Sequence, residues 1–446
     1  MDTTTTTAPP PGIRFIDALR FWLKLGFISF GGPAGQIAVM HEELVVRRRW
    51  ISERRFLHAL NYCMVLPGPE AQQLATYIGW LLHKTRGGIA AGMLFVLPSL
   101  FILIGLSWLY IALGQTTIVA GLFYGIKPAV TAIVLQAAHR IGTRALKNPA
   151  LWLLCTGAFV AIFFFNLPFP LIVAAAALIG SIGGRIAPDR FQTGGQHATK
   201  SAADTAAVID DHTPTPAHAR HSLPRLLRVV AIGSALWLLP IGALCAAFGW
   251  HGTLTQMGWF FSKAALMTFG GAYAVLPYVY QGAVGHYEWL SATQMIDGLA
   301  LGETTPGPLI MVVAFVGFVG GWLREIFGPE QVFLAGALGA CVATWFTFLP
   351  SFIFIFAGAP IVESTRNELK FTAPLTAITA AVVGVIINLA LFFAYHVWWP
   401  QGFGGALEWP AVAITLAAAV ALFYFKRSVI EVIAGSAVLG LLWTLI

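Results

Sequence analysis

The sequence predicts an all-α polytopic integral membrane protein built from two inverted homologous repeats, with broken or re-entrant helices at Gly-Gly and Pro-Gly-Pro motifs. Three observations predict this: an apolar composition, apolar runs long enough to cross a bilayer, and a motif series that occurs twice. Of 446 residues, 58% are hydrophobic and only 10% charged, where soluble domains carry about 25% charged residues. Such a chain has too little polar surface to cover its outside in water, and a lipid-facing surface removes the problem. The runs Gly88 to Leu113, Thr116 to Ala138 and Phe371 to Tyr395 reach the roughly 20 residues a spanning helix needs. They lack the apolar/polar alternation of membrane-barrel strands.

The net charge of +7 does not point to nucleic acid. Arg and Lys fall mostly in short loops between apolar runs, as the positive-inside rule requires. Cys63, Cys155, Cys245 and Cys341 lie in apolar segments without metal-ligand spacing and read as small core residues. No metal and no cofactor is expected. Met1 to Gly12 is a Thr/Pro tail with no basic region ahead of an apolar core, so the first membrane segment is expected to stay in the protein.

Residues 186–224 break the apolar pattern and read as a polar, flexible linker. Its histidines, His197, His212, His218 and His221, are irregularly spaced, as in a solvated loop. The parts before and after the linker repeat each other at a shift of 239 residues. Lys24 to Gly32, with Phe30-Gly31-Gly32, returns as Lys263 to Gly271, with Phe269-Gly270-Gly271. Trp50-Ile51-Ser52 returns as Trp289-Leu290-Ser291, and Pro67-Gly68-Pro69 as Pro306-Gly307-Pro308. Leu97-Pro98-Ser99 matches Leu349-Pro350-Ser351 at a slightly larger shift. The expected organisation is a tail (1–14), a first repeat (15–185), the linker (186–224), a connecting transmembrane helix (225–250) and a second repeat (251–446). Six apolar segments per half with one between them turn the second half upside down. That is the plan of many secondary transporters.

Pro lacks an amide donor and Gly weakens a helix, so the first two segments of each half should break at these motifs. Such breaks survive in a membrane only where protein or a water-filled cavity shelters the backbone. Re-entrant hairpins would put Arg47, Arg48, Arg49, Arg54 and Arg55 on the same side as Arg140, Arg144, Lys147 and the linker; full crossings would put them on the opposite side. The hairpin arrangement, with nine full crossings and four hairpins, obeys the positive-inside rule better than thirteen crossings. Both arrangements place the N-terminus and the linker in the cytoplasm.

The series Phe30-Gly31-Gly32-Pro33, Arg47-Arg48-Arg49-Trp50, Leu66-Pro67-Gly68-Pro69 and Leu97-Pro98-Ser99, with its second copy, resembles the motifs of the chromate ion transporter family in its long-chain, two-domain form. The resemblance implies export of chromate across the bacterial inner membrane, driven by the proton motive force, with sulfate as a related anion. Two departures fall near the presumed site. Gln36 stands where the family commonly has His, and Glu70-Ala71-Gln72-Gln73 replaces small hydroxyl residues.

A tetrahedral dianion inside a membrane needs donors and positive charge. Helices restarting after Pro33 and Pro69, and after Gly271 and Pro308, offer free amides at the positive ends of their dipoles. Gly31, Gly32, Gly68, Gly270, Gly271 and Gly307 would let an oxyanion approach the backbone. Lys24 and Lys263 are the charged candidates, each seven residues before the first Gly of its break. Asp17, Arg20 and Lys24 share a helix face, which also allows Lys24 an interfacial ion pair. Asp297 is a candidate partner for Lys263. Glu70 and Glu303 flank the Pro-Gly-Pro breaks and could couple transport to protons, or serve as a helix-start carboxylate and an ion-pair partner. The five arginines between segments one and two either draw anions to a vestibule or only set topology. Trp50 and Trp289 are expected at the membrane interface.

Other readings are an exporter of sulfate, molybdate or another oxyanion, a lipid-modifying membrane enzyme, and a channel scaffold. The candidate acids are scattered and no P-loop or dinucleotide fingerprint occurs, which argues against the enzyme. Expected partners are a small oxyanion, protons and membrane lipid. A homodimer is one assembly such a protein can form.

Overall fold

The computed structural model describes residues 12–30, 32–191, 207–210, 213, 216–220, 222–364 and 372–446. Among the described residues the structure is helical, apart from one isolated bridge between Ile51 and Ile209. The first half holds α1 (Phe15–Ile28), α2 (Gly32–His41, prolonged by a π turn Glu42–Arg47), α3 (Glu53–Val65), α4 (Glu70–Leu113), α5 (Thr117–Ala145), α6 (Pro149–Phe163), α7 (Phe169–Ile186) and the short α8 (Pro188–Phe191). Helix α9 (Leu223–Phe248) connects the halves. The second half holds α10 (Thr253–Leu266), α11 (Ala272–Tyr280, prolonged by a π turn Gln281–His286), α12 (Ala292–Thr304), α13 (Val312–Leu323), α14 (Val332–Ser364), α15 (Thr372–Trp398), α16 (Trp409–Phe423) and α17 (Val429–Leu445). Among the described residues six helices are long and apolar enough to cross a membrane.

The repeat holds at the level of backbone detail. The two π turns and the bounds of α3 and α12 coincide at the 239-residue shift. Ser52 and Ser291 both cap the following helix, accepting from the amides of Arg55 and Gln294. Arg49 and Glu288 share a left-handed backbone, with φ of 51° and 52°. Phe21 meets Trp50 as Phe260 meets Trp289, ring centroids 5.1 and 5.5 Å apart. Both tryptophans are buried in these contacts, packed against protein rather than open to the surroundings. Their rings fill the base of each first hairpin.

A straight α4 would be about 66 Å long at 1.5 Å per residue. Instead the backbone leaves helical geometry at His83 and Lys84. Gly79 then faces Gly87, and Thr76 faces Gly92, so the two arms pack antiparallel. Likewise α13 and α14 pack antiparallel through Gly317 against Gly339 and Gly321 against Ala335.

The broken segments also fold back on themselves. In α3 and the first arm of α4, Tyr62 and Tyr77 meet at 6.1 Å between ring centroids. His58 and Tyr77 reach neighbouring residues of α14: the Val362 carbonyl at 3.4 Å and the Glu363 carboxylate at 2.6 Å. Helix α1 starts where the Ile13 carbonyl meets His83 at 2.9 Å, and α2 ends near His41, which pairs with Glu53 at 2.5 Å. All these outer ends lie at the linker end of the bundle, where Arg55 donates to the Thr213 carbonyl at 2.8 Å. In the second half Phe260 of α10 stacks on Tyr278 of α11 at 4.9 Å. Gln281, beyond α11, accepts from the amide of Phe169 at 3.0 Å, at the start of α7 and so at the end opposite the linker. The outer contacts of the two halves thus lie at opposite ends of the bundle, and their Pro-Gly-Pro turns meet each other's Phe-Gly-Gly breaks.

The linker departs from the expected free loop where it is described. Ser52 donates to the Ile209 carbonyl at 2.9 Å, and the Val208 and Ile209 amides donate to Arg49 and Trp50 at 3.0 and 3.1 Å. Ala207, Ile209 and Ala219 are buried, and His218 contacts the Trp80 carbonyl at 3.0 Å. A few small apolar residues are enough to seat it on the hairpin bases. His197, His212 and His221 lie outside the described residues, and no metal-holding cluster occurs among the described ones. Cys63 and Cys155 are buried, but Cys341 is exposed, because that face of α14 points outward.

Candidate functional site

The tips are joined crosswise. The Gly68 amide donates to the Thr268 carbonyl and the Gly307 amide to the Ser29 carbonyl, both at 2.8 Å. Each Pro-Gly-Pro tip thus bonds the residue just before the Phe-Gly-Gly break of the other half. Each tip glycine also faces the Leu-Pro-Ser serine of the other half. Ser351 lies beside Gly68, and a β-carbon at Gly307 would stand 2.7 Å from the Ser99 β-carbon. Gly68 and Gly307 have φ of 126° and 102°, which side chains rarely adopt. Pro67, Pro69, Pro306 and Pro308 hold the two turns open by lacking amides. The two Gly-Gly breaks approach each other: a β-carbon at Gly271 would stand 4.0 Å from the Pro33 ring. Gly270 and Gly32 take part with φ of 80° and 67°, while Gly31 lies outside the described residues.

Gln36 is buried and donates to the Gly307 carbonyl at 2.5 Å. Gln73 donates to the Pro67 carbonyl at 2.8 Å and to Ser351 at 3.3 Å. Ser29 Oγ, Gln36 Oε1, Gln72 Oε1, Gln73 Oε1 and Ser99 Oγ have no hydrogen-bond partner among the described residues. Buried polar atoms normally find partners, so this junction concentrates unpaired polar groups inside the bundle.

A small cavity of about 10 Å³ opens beside the junction. Gly32, Gln136, Arg140, Tyr273 and Glu303 line it, with Ile133, Ala137 and Val429. Tyr273 donates its hydroxyl to the buried Glu303. The half-buried Arg140 side chain makes no hydrogen bond or ion pair among the described residues. Its charge acts on Glu303, and that of Arg144 acts on Glu70. Gln136, Arg140 and Arg144 stand four residues apart, on one face of α5. A guanidinium there can hold an oxyanion through two parallel donors, with a carboxylate nearby to take a proton. The cavity has room for about one water molecule, so a tetrahedral oxyanion enters only if the tips part.

Sequence reasoning missed Gln136; it offered Tyr273 only through its free amide and Arg140 only as a topology charge. The apolar run from Thr116 stops at Ala138, whereas α5 goes on to Ala145 and carries Arg140 inside the bundle. Gln136 in an apolar run was the available signal.

Other candidates lie elsewhere. Lys24 is exposed on the outer face of α1. Lys263 is half-buried with its ammonium 5.6 Å from the Trp259 ring centroid. Neither lines the central cavity. Asp17 pairs with Arg14 at 2.7 Å rather than with Arg20 or Lys24, because Arg14 precedes it by one turn. Asp297 pairs with Lys127 at 3.4 Å and accepts from Tyr110 at 2.8 Å, not from Lys263, because α12 packs on α4 and α5. Arg47 and Arg48 are neutralised locally by Glu42 and Glu43, at 3.0 to 3.2 Å. Arg54 and Arg49 sit with them at the linker end.

Two repeats joined through broken helices, in a multi-pass membrane bundle, define a membrane transporter rather than an enzyme. A family model described as Chromate transporter matches residues 16–181 and 255–441. The chain belongs to that family. It is 33% identical over 387 residues to a chromate transport protein of Pseudomonas aeruginosa, covering 86% of this chain and 82% of the relative. It is 28% identical over 438 residues to a chromate transport protein of Cupriavidus metallidurans, covering 98% and 94%. A probable chromate transport protein of Synechococcus elongatus is 27% identical over 378 residues, covering 84% of each chain. No solved structure matches.

Proposed function

We propose that this protein is a secondary active transporter that exports chromate across the bacterial inner membrane, coupled to protons, with sulfate as a competing anion. The single observation that carries the reading is the convergence of Arg140, Glu303 and two crossed helix breaks on one cavity. The oxyanion would sit on the Arg140 guanidinium and the free amides of the first turn of α2. Its negative charge would favour protonation of Glu303, and Glu70 would play the same part beside Arg144.

We read the linker end as cytoplasmic. Arg47, Arg48, Arg49, Arg54, Arg55, Arg144, Lys147 and Arg225 gather there, whereas Glu288, Glu325, Glu330 and Glu408 stand at the other end with Arg324. The fold-back contacts support four re-entrant hairpins and nine crossings. They also support the division into a repeat at 15–185, a connecting helix at 225–250 and a repeat at 251–446.

The test is chromate accumulation in a chromate-sensitive bacterium expressing wild type or Arg140→Gln, with sulfate varied. Lower intracellular chromate with wild type alone supports the reading. Full membrane expression without any effect on chromate would rule chromate out. The same assay with sulfate and molybdate would then decide whether another oxyanion is the cargo.

A further inference from the structure

A second, far larger cavity lies away from the central site. It is a cleft of about 1230 Å³ between the α10–α11 hairpin, the α6–α7 loop and α15, and it shares no lining residue with the central cavity. Its walls are aromatic: Phe260, Tyr278, Tyr280, Phe392, Tyr395 and Trp398 are among them. Its polar groups are few, chiefly Lys263, Gln281, His286 and Asn388, and none of its lining residues is acidic. Apolar, aromatic walls with a few placed polar groups are the usual make-up of a small-molecule site.

Lys263 decides which ligand fits. Its ammonium has no carboxylate partner among the described residues, only the face of Trp259. A lysine within a membrane segment is costly and calls for a partner. Lys263 is the eleventh residue of α10, which puts it about 15 Å from the outer end of that helix. The Cα thus lies about half the hydrocarbon thickness from that end, while the ammonium leans back one turn onto Trp259. The partner must carry its own negative charge into the cleft and offer a flat apolar body to the rings.

We propose that the cleft binds an amphipathic organic anion, a carboxylate or sulfonate on an aromatic or extended apolar body, with its charge on Lys263. The repeat-equivalent Lys24 is exposed and is not part of this cleft's lining. The cleft is built from both halves, with Lys263 as the one lysine in its lining, and is separate from the central cavity.

The test is equilibrium binding of 2-naphthalenesulfonate to the full chain in nanodiscs, with empty nanodiscs as the baseline. Wild type should bind saturably. Lys263→Gln should weaken binding at least tenfold, Tyr280→Ala should weaken it, and Lys263→Arg and Lys24→Gln should retain it. The uncharged methyl 2-naphthyl sulfone should bind no better than it partitions into empty nanodiscs. Binding no different from empty nanodiscs would overturn the proposal. So would equal binding by wild type and Lys263→Gln, or equal loss in Lys24→Gln. Lys263→Arg eluting as a folded species and binding normally separates loss of charge from loss of fold. The readout needs no transport, so it stands or falls independently of the chromate reading.

Discussion

Gly68 donates its amide to the carbonyl of Thr268, and the same bond is made in reverse by Gly307 to Ser29, each at 2.8 Å. Reciprocal exchange of this kind is what a two-fold relation between repeats produces. Each tip is closed by a residue of the other half, so the two are energetically tied.

Gly68→Ala and Gly307→Ala should both destabilise the protein. Each places a β-carbon at positive φ against a serine of the opposite half. Residues held in such backbone regions cost about 1–3 kcal/mol. Thermal unfolding of the purified protein in detergent should show a lower midpoint for both. An unchanged midpoint for either would mean that the tip adapts freely.

Arg140→Gln should weaken the apparent affinity for chromate by about 10- to 100-fold, the worth of a charged hydrogen bond of about 1.5–3 kcal/mol. Arg144→Gln should cost less, because Arg144 is exposed. The Lys24→Ala, Lys263→Ala double substitution should also cost less, since neither lysine lines the central cavity. Uptake into inside-out vesicles at graded chromate gives all three values. A larger defect in the lysine pair than in Arg140→Gln would move the site to the lysines.

Glu303→Gln and Glu70→Gln test the coupling. If a carboxylate takes a proton as the dianion binds, the matching glutamine variant should transport with little dependence on pH while still binding chromate. Tyr273→Phe should shift the pH profile without flattening it, because it removes only the hydroxyl that bonds Glu303. Wild-type pH profiles in both glutamine variants would exclude these two acids from coupling.

His218 offers a separate pH test outside the membrane. Burial against Trp80 pushes its pKa below the ordinary imidazole value. The charged groups that act on it are Lys84 and Arg225, which push the same way, and Glu363, which pushes back. The docked linker therefore binds fewer protons than the free one, and docking is strongest while His218 is neutral. It should weaken as pH falls below about 6.5. Hydrogen exchange at the Val208 and Ile209 amides should speed up over that range beyond the intrinsic pH effect, and should not in His218→Ala. Exchange that follows only the intrinsic rate would show that His218 does not hold the linker.

How much of this was legible in the sequence follows from the physics of each feature. Gly and Pro punctuate helices through their own backbone chemistry, so the breaks at Phe30-Gly31-Gly32 and Pro67-Gly68-Pro69 and their copies could be read directly. The partner of a buried charge is set by which helices pack together, and spacing does not encode that. Asp297 therefore met Lys127 and Tyr110 instead of Lys263, and Arg140 passed for a loop charge. The docking of the linker's described part is not legible because Ala207, Ile209 and Ala219 are too few and too scattered to show a period, yet all three are buried.

The crossed bonds also bear on how the chain is made. While the ribosome is still producing α9, the Pro67-Gly68-Pro69 turn has an amide whose acceptor, Thr268, does not yet exist, and the Ser29 carbonyl waits for Gly307. A nascent first half in the bilayer is thus a set of helices with open polar ends. Those ends find their partners only after about the first seven-tenths of the chain has been synthesised, so a stall before that point would leave unpaired polar groups in the bilayer and a degradable intermediate.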